Sequence, residues 1–349
     1  MTTVLCTLYN SLYLDKGLVL YDSLSECAKD IKLYVLCMDD KCYEVLTDLK
    51  QVHHIPVRLS DFEEGDEALL AAKANRPMGE YCWTCSSSFI RYVLKHYNED
   101  SCTYIDADMY FYNDPQVLID EMLAAGKSVM VVPHRFPENK MDLAKKVGTY
   151  CVEFNTFLNT PESMEVLEYW RNRCLECCSN LGDGVHWGDQ KYLDELVEKF
   201  DCVYVCENPG AGVAPWNIKS YKDYSPTDNT LFDKISKESI PLVFFHFQSV
   251  TYLSRCEIKI GVSKNLYELD CKFVDDVYYA YLIAIDNAKR LLEEKYKISF
   301  LITYHPSNNA STSKMRSILK KWKIVKLLMK FIYNDNDQII IYLPGKDNT

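Results

Sequence analysis

The sequence predicts an α/β protein in which helices cover both faces of a mixed, mainly parallel sheet, followed by a C-terminal helical extension. Short apolar runs alternate with helical patterns from residue 4 to residue 247, and strands that alternate with helices form mainly parallel sheets. The chain has 349 residues, 48% of them hydrophobic, which is enough for one large α/β domain with additions. A long amphipathic pattern at 274–296 predicts the extension.

The individual elements follow from hydrophobic periodicity. Short apolar runs predict strands, and apolar residues spaced three or four apart predict helices. The predicted strands are 4–8, 31–38, 53–59, 102–111, 127–133, 154–158, 203–206 and 242–247, with a small added strand at 338–344. The predicted helices are 16–28, 41–49, 81–96, 164–178, 191–200 and 274–296.

The most informative segment is 104–111, in which Asp106 and Asp108 interrupt an apolar run. On a strand, side chains two positions apart point to the same side, so the two carboxylates are expected to converge. Facing buried carboxylates repel each other unless a cation lies between them. A hard divalent cation, Mn²⁺ or Mg²⁺, which keeps positions for phosphate oxygens, is the expected occupant. The alternative is a strand end with two solvated aspartates.

Composition and charge exclude several classes of protein. The net charge of −11 argues against general binding of nucleic acid. Fifteen cysteines, in a chain with no recognisable secretory signal, indicate reduced thiols in a cytosol. The pairs Cys82/Cys85 and Cys174/Cys177 could form a Cys₄ zinc site, but they lack the glycines of zinc knuckles, which argues against structural zinc. No uninterrupted apolar stretch is long enough to predict a membrane-spanning helix.

Several ordered motifs, taken together, resemble those of bacterial GT-A-type glycosyltransferases, close to the retaining family 8 enzymes typified by glycogenin and the lipooligosaccharide galactosyltransferases. The resemblance covers about residues 4–265. The matching segments are Thr7-Leu8-Tyr9-Asn10 with Tyr13, Arg91 in Ser87–Arg91, Asp106-Ala107-Asp108, Phe154-Asn155, Gly188-Asp189-Gln190 and Phe244–Phe247 with His246. It implies a Rossmann-like GT-A fold and a hexosyltransferase-type enzyme that moves a sugar from a UDP-linked donor to a glycan acceptor with retention.

The resemblance also implies a role for each matched residue. Asp106, Asp108 and His246 are expected to bind Mn²⁺ or Mg²⁺, and Asp189 and Gln190 to lie at the reacting sugar. The expected donor-binding residues are Thr7, Leu8, Asn10, Tyr13, Arg91, Asp106 and Asn155. Independently of the resemblance, a sugar nucleotide loses a diphosphate, so positive charge is needed at the leaving group. A metal supplies most of that charge, and Arg91 could add a forked cation.

The chain departs from the family pattern after His246. Family 8 enzymes follow this histidine with a glycine and then a lysine that binds phosphate, whereas this chain continues Phe-Gln-Ser-Val-Thr. Arg255, Lys259 and Lys264 are candidates to replace that lysine. The sequence does not choose among them.

The C-terminal third predicts a different kind of contact. The expected division is a catalytic domain at 1–265, a helix packed on it at 266–300, a polar linker at 301–313, and a basic amphipathic helix and tail at 314–349. Residues 314–330 carry seven basic residues and no acidic one, with apolar residues at helical spacing. Residues 314–333 are therefore predicted to bind an anionic membrane surface.

Such attachment implies a cytoplasmic enzyme, peripheral on the inner face of the membrane. A lipid-linked glycan, as in surface polysaccharide or lipopolysaccharide synthesis, is then a candidate acceptor. The alternative is a helix whose apolar face packs on the catalytic domain.

Two other classes of function stay open. A metal-dependent nucleotidyltransferase or phosphohydrolase also uses paired aspartates. The haloacid-dehalogenase kind, however, places them after the first strand, which here ends Cys-Thr-Leu-Tyr. A non-catalytic sugar-binding module is the third class, and it would not need Asp106, Asp108 and His246 together.

Overall fold

The computed structural model describes residues 2–179, 185–253, 257–263, 271–300, 332–333 and 338–342. The strands are β1 (Thr3–Tyr9), β2 (Ile31–Cys37), β3 (His54–Arg58), β4 (Ser101–Ile105), β5 (Met109–Phe111), β6 (Val129–Pro133), β7 (Tyr150–Leu158), β8 (Val203–Val205), β9 (Tyr221–Ser225), β10 (Thr230–Asp233), β11 (Glu238–Pro241), β12 (Phe244–His246), β13 (Thr251–Tyr252), β14 (Glu257–Ser263), β15 (Ile332–Tyr333) and β16 (Gln338–Tyr342). The helices are α1 (Leu14–Cys27), α2 (Asp40–Leu49), α3 (Leu59–Glu63), α4 (Glu67–Asn75), α5 (Met78–His96), α6 (Gln116–Ala124), α7 (Met141–Val147), α8 (Pro161–Glu176), α9 (Tyr192–Lys199) and α10 (Cys271–Tyr296).

The central sheet of the described chain has seven strands in the order β3-β2-β1-β4-β7-β6-β8. Six of them run in one direction, and β7 runs antiparallel to both of its neighbours. One face packs against α1, α2, α6 and α10, and the other against α4, α5, α8 and α9. The predicted fold class, with helices on both faces of a mainly parallel sheet and a C-terminal helix, is therefore confirmed.

Burial on both faces explains why the central strands are apolar throughout. In β1, Leu5 and Tyr9 belong to one core cluster, while Val4 and Cys6 belong to the other. Parallel strands covered by helices on both sides read as continuous apolar runs rather than alternating ones. This is the pattern by which the sequence predicted the strand.

The predicted strand at 102–111 is instead two strands. β4 ends at Ile105 and β5 begins at Met109, so Asp106 and Asp108 lie in the turn between them. β5 leaves the central sheet and pairs antiparallel with β12. Carboxylates are too costly to bury in the middle of a sheet without partners, and the chain leaves the sheet where they begin. The aspartates converge by a turn and not by strand alternation.

The C-terminal segment is described in part. The predicted strand at 338–344 is present as β16, which pairs antiparallel with β14 and β15. The predicted linker at 301–313 and most of the predicted basic helix at 314–333 lie outside the described residues, although its last two residues form β15. Membrane binding by this segment stays a prediction. In the described part of the chain, no helix is long and apolar enough to cross a membrane.

A close contact at Gly17 fixes α1 against the end of β1. A Cβ added at Gly17 would stand 2.3 Å from the ring of Tyr9. The Tyr9 ring is buried, and its hydroxyl lies 3.4 Å from Nε2 of His54, which in turn stacks on Tyr21. Because the ring is buried and its hydroxyl contacts His54, it has little room to yield.

Gly17→Ala is therefore expected to destabilise the protein by about 1–3 kcal/mol, the usual cost of overpacking a core. Urea unfolding measures the change. Gly79→Ala is the matched control, because an added Cβ in α5 meets nothing within 4 Å. Because alanine has a higher helix propensity than glycine, this control should raise the free energy of unfolding by up to about 1 kcal/mol. Equal effects of the two substitutions would contradict the packing argument.

Candidate active site

A cavity of about 710 Å³ opens at the edge of the sheet where β1 and β4 end. Ligands bind beyond the carboxyl ends of strands in sheets of this kind. Since β7 runs the other way, it presents its first residues, including Cys151 and Val152, at the same edge. His246 reaches the cavity from β12.

Most of the predicted site residues meet in this cavity. The lining includes Leu8, Asn10, Tyr13, Asp106, Asp108, Asp189, Gln190 and His246. Thr7 and Asn155 are instead fully buried within β1 and β7. Neither Oγ1 of Thr7 nor Oδ1 of Asn155 has a hydrogen-bond partner among the described residues.

The structure does not bring Arg91 to the cavity. Its Nε donates a hydrogen bond to Glu168 on α8, and Nζ of Lys95 lies 3.1 Å from the same carboxylate. These contacts tie α5 to α8. Any basic side chain at the cavity must therefore come from elsewhere in the chain.

His246 is the centre of the polar site and is only 4% exposed. Its Nε2 lies 3.1 Å from Oδ1 of Asp108 and 3.7 Å from Oδ2 of Asp106. Its Nδ1 lies 2.7 Å from Oε2 of Glu153. Because an ionised carboxylate only accepts hydrogen bonds, Nδ1 donates to Glu153. Nε2 is left facing the two aspartates.

Sequence reasoning gave no role to Glu153. It is completely buried in β7 and bonds a residue 93 positions away. The available signal is an acidic residue in the middle of an apolar strand, because glutamate is almost never fully buried unless it is paired. The sequence does not reveal the partner.

The pKa values of this cluster follow from mutual charge compensation. Burial alone would lower the pKa of His246, but Asp108 raises it well above the usual value. Burial raises the pKa of Asp106 to about 6, although His246 opposes this rise. Burial would also raise the pKa of Asp108, yet His246 and Lys16 hold it below its usual range. The arrangement calls for a positive charge between the aspartates and Nε2.

The two separations from Nε2 of His246 fit a hard divalent cation. Neighbouring ligands of an octahedral ion with bonds of about 2.1 Å are about 3 Å apart, close to the 3.1 and 3.7 Å separations from Nε2. The ring of a metal-binding histidine is usually oriented by a carboxylate on the nitrogen that does not bind the metal. Glu153 occupies this position at Nδ1 of His246. Binding would displace the proton from Nε2, because only the neutral imidazole coordinates a metal.

A second group of possible ligands, Cys151, Glu153 and His246, brings its donor atoms within 4.8 Å of one another. Burial and then Glu153 raise the pKa of the Cys151 thiol. A protonated thiol is a poor ligand, and sulfur does not suit Mn²⁺ or Mg²⁺. The better metal site lies on the other side of the ring, where Nε2 of His246 faces the oxygens of Asp106 and Asp108.

Lys16 is a further polar residue of the site that sequence reasoning missed. Its Nζ lies 3.9 Å from Oδ2 of Asp108 and 4.1 Å from the centre of the Tyr13 ring. The side chain is nine-tenths buried. A lysine within the apolar run 12–20 was the available signal.

Asp189 and Gln190 lie on the side of the cavity formed by α5 and the segment before α9. Gly188 has φ +57°, and an added Cβ would stand 3.3 Å from the Trp83 ring, so glycine suits this turn. The Asp189 carboxylate accepts a hydrogen bond from Ser86 on α5. The Asp189 side chain does not cap α9, because that helix begins without a side-chain cap.

Comparisons with known proteins give the following similarities. No family model matches the chain. It is 30% identical over 307 residues to the uncharacterized protein YfnF of Bacillus subtilis, covering 85% of this chain and 97% of the relative. It is 30% identical over 291 residues to the uncharacterized protein YfnD of the same organism, covering 82% and 89%.

Two solved structures are also similar. Mouse xyloside xylosyltransferase 1 aligns with a TM-score of 0.47 and 12% identity, over 71% of this chain and 98% of that one. The galactosyltransferase LgtC, in complex with donor and acceptor sugar analogues, aligns with a TM-score of 0.48 and 12% identity, over 71% and 87%.

The charge of Asp189 should make stability depend on pH. Burial raises its pKa from 3.8 to about 7. Between these values the folded state holds a proton that the unfolded state has lost, so stability falls as pH rises from about 4 to about 7. Asp189→Asn should flatten this slope and be more stable than wild type at pH 8, by at most a few kcal/mol.

Urea unfolding across this pH range, in the presence of a chelator, measures the effect. Asp201→Asn, which removes an exposed carboxylate, should keep the wild-type slope. An unchanged slope in Asp189→Asn would show that this carboxyl is ionised throughout.

Proposed function

The chain belongs to the family of the Bacillus subtilis proteins YfnF and YfnD, and from the geometry of its cavity we propose that it is a metal-dependent glycosyltransferase. It moves a sugar from a nucleotide-diphosphate sugar, with UDP as the expected nucleotide, to a glycan acceptor. The observation that carries the proposal is the convergence of Asp106, Asp108 and Nε2 of His246. They meet at the edge of a cavity whose volume, about 710 Å³, is typical of small-molecule sites.

The metal site supports departure of a diphosphate. Asp106, Asp108 and His246 would hold Mn²⁺ or Mg²⁺, and the bound ion would supply positive charge to the phosphate oxygens. Glu153 fixes the imidazole ring through its 2.7 Å hydrogen bond. The order of these residues along the chain is also that of the family 8 enzymes that the sequence resembles.

The cavity also presents groups that suit a sugar. Asp189 and Gln190 line it with two aromatic rings, Trp83 and Trp187. Carboxyl and amide groups bind hydroxyls, and indole rings pack on the apolar faces of sugars. Gln190 is itself held by a 2.8 Å hydrogen bond from its Nε2 to the carbonyl of Val147.

The proposed acceptor is a glycan carried by a membrane lipid. A lipid-linked glycan of surface polysaccharide or lipopolysaccharide synthesis would match a cytoplasmic enzyme on the inner face of the membrane. The basic segment 314–333, which is predicted to bind an anionic membrane surface, would bring the enzyme to such an acceptor.

Wild-type protein with Mn²⁺ should release nucleoside diphosphate from at least one member of a panel of sugar nucleotides, and a chelator should stop the release. Asp108→Ala should lower turnover by at least about 10²-fold, because it removes charge stabilisation at the leaving group. Glu153→Gln should weaken Mn²⁺ binding by about 10- to 100-fold, as is usual for residues that orient a ligand.

Titration calorimetry measures Mn²⁺ affinity, and a coupled assay measures the diphosphate. Asp228→Ala, which alters an exposed carboxylate, is the control and should match wild type. Release of nucleoside monophosphate with pyrophosphate or sugar phosphate would indicate a nucleotidyltransferase or phosphohydrolase instead. Binding without turnover would indicate a sugar-binding module.

The reaction should proceed with retention. Inversion requires a general base beside the acceptor hydroxyl, whereas the family resemblance places the amide of Gln190 at that face of the sugar. An α-linked donor should therefore give an α-linked product, which NMR of the anomeric proton establishes. A β-linked product would overturn retention and make Asp189 the first candidate for the base.

A further inference from the structure

The diphosphate needs a permanent cation, and the family pattern does not provide one here. The residues after His246 are Phe, Gln and Ser where the related enzymes have glycine and lysine. Arg91 is engaged on α8. Arg255 and Lys264 lie outside the described residues, and Lys259, on β14, is not among the residues that line the cavity in the described part of the chain.

Lys16 lies next to the metal ligands. Its Nζ is 3.9 Å from Oδ2 of Asp108, while the other oxygen of the same carboxylate is 3.1 Å from Nε2 of His246. A separation of 3.9 Å is too long for a hydrogen bond. The ammonium group therefore keeps donors that Asp108 does not use. Lys16 is itself not among the lining residues, but its Nζ lies against Tyr13 and Asp108, which both line the cavity.

The position of Lys16 is unfavourable on structural grounds alone. It is 8% exposed and lies in the first turn of α1, where the helix dipole disfavours a cation. Asp108 already has His246 as a partner, and the neighbouring Asp15 has Lys289, whose Nζ lies 3.5 Å away. Neither carboxylate depends on Lys16 alone. Groups retained at such a cost are commonly functional.

We propose that Lys16 binds the diphosphate of the sugar nucleotide and stabilises it as it leaves. This inference rests on the proposed function. In the transfer, the bond from the anomeric carbon to the diphosphate oxygen breaks, and both of its electrons stay on that oxygen. The acceptor hydroxyl oxygen forms the new bond, and its proton ends on the released diphosphate. Lys16 stays protonated throughout and acts only by charge and hydrogen bonding.

The test compares binding of a nucleoside diphosphate with binding of the bare nucleoside. Wild type is first titrated at saturating Mn²⁺ with UDP, GDP, CDP, ADP and dTDP, and the tightest binder is then used. Lys16→Met should bind this diphosphate about 10- to 100-fold more weakly, the usual cost of losing a charged hydrogen bond. Its affinity for the matching nucleoside should stay within about twofold, because the nucleoside carries no phosphate.

Two further variants separate this role from a structural one. Lys289→Met removes a second cation of the same neighbourhood, whose side chain is 13% exposed and pairs with Asp15, a residue that does not line the cavity. It should leave diphosphate binding unchanged. Lys16→Arg keeps the charge and should recover most of the affinity. Lys16→Met should still bind Mn²⁺ at least as tightly as wild type, since a cation beside Asp108 is gone.

Each outcome decides the inference. A selective loss of diphosphate binding in Lys16→Met supports it. Wild-type diphosphate affinity in Lys16→Met overturns it and leaves the proposed function standing. Equal loss for diphosphate and nucleoside, or an equal loss in Lys289→Met, assigns Lys16 a structural role and also overturns it. If wild type binds none of the five diphosphates, the proposed function fails and the inference fails with it.

Discussion

A buried row of alternating charges holds the cavity edge together. Glu153, His246, Asp108 and Lys16 come from β7, β12, the turn after β4, and α1, and each contacts the next. An isolated buried charge costs several kcal/mol, so each group is tolerable only beside its neighbours. The positions of β7, β12 and the turn after β4 therefore depend on one another, and Lys16 adds a cation at the end of the row. The same contacts that compensate the charges also gather the candidate ligands.

Sequence patterns predicted the layers of the fold because buried faces appear as apolar periodicity over a few neighbouring residues. β1 and α5 were recognisable from apolar spacing alone. The ordered motifs also placed Asp106, Asp108, Asp189 and His246 at one edge. The charge partners were not predictable, because they are distant in the sequence: His246 is 138 residues from Asp108 and 93 residues from Glu153. Local spacing holds no information about such pairings, nor about the pairing of Arg91 with Glu168 on another helix.

Reversal of one strand explains why Glu153 was overlooked. Functional residues in parallel sheets are expected after the carboxyl ends of strands. β7 runs against its neighbours, so the residues at the cavity edge come from its first half. Glu153 thus looked like an interior residue of a strand. It is in fact close to the turn that carries Asp106, whose backbone N–H donates to the Glu153 carbonyl at 3.3 Å.

Because β5 pairs with β12, the site tolerates few changes in the length of the chain around it. His246 is opposite Met109, and the Phe247 N–H donates to the carbonyl of Asp108 at 2.9 Å. Shifting β12 by one residue would turn His246 to the opposite face and bring a phenylalanine to the aspartates, because side chains alternate along a strand. Insertions and deletions between β11 and β12 should thus be rare in evolution. The exposed residues 226–228 between β9 and β10 are freer to vary in length, whereas Asn229 bonds Tyr112 and Leu242 and is held in place.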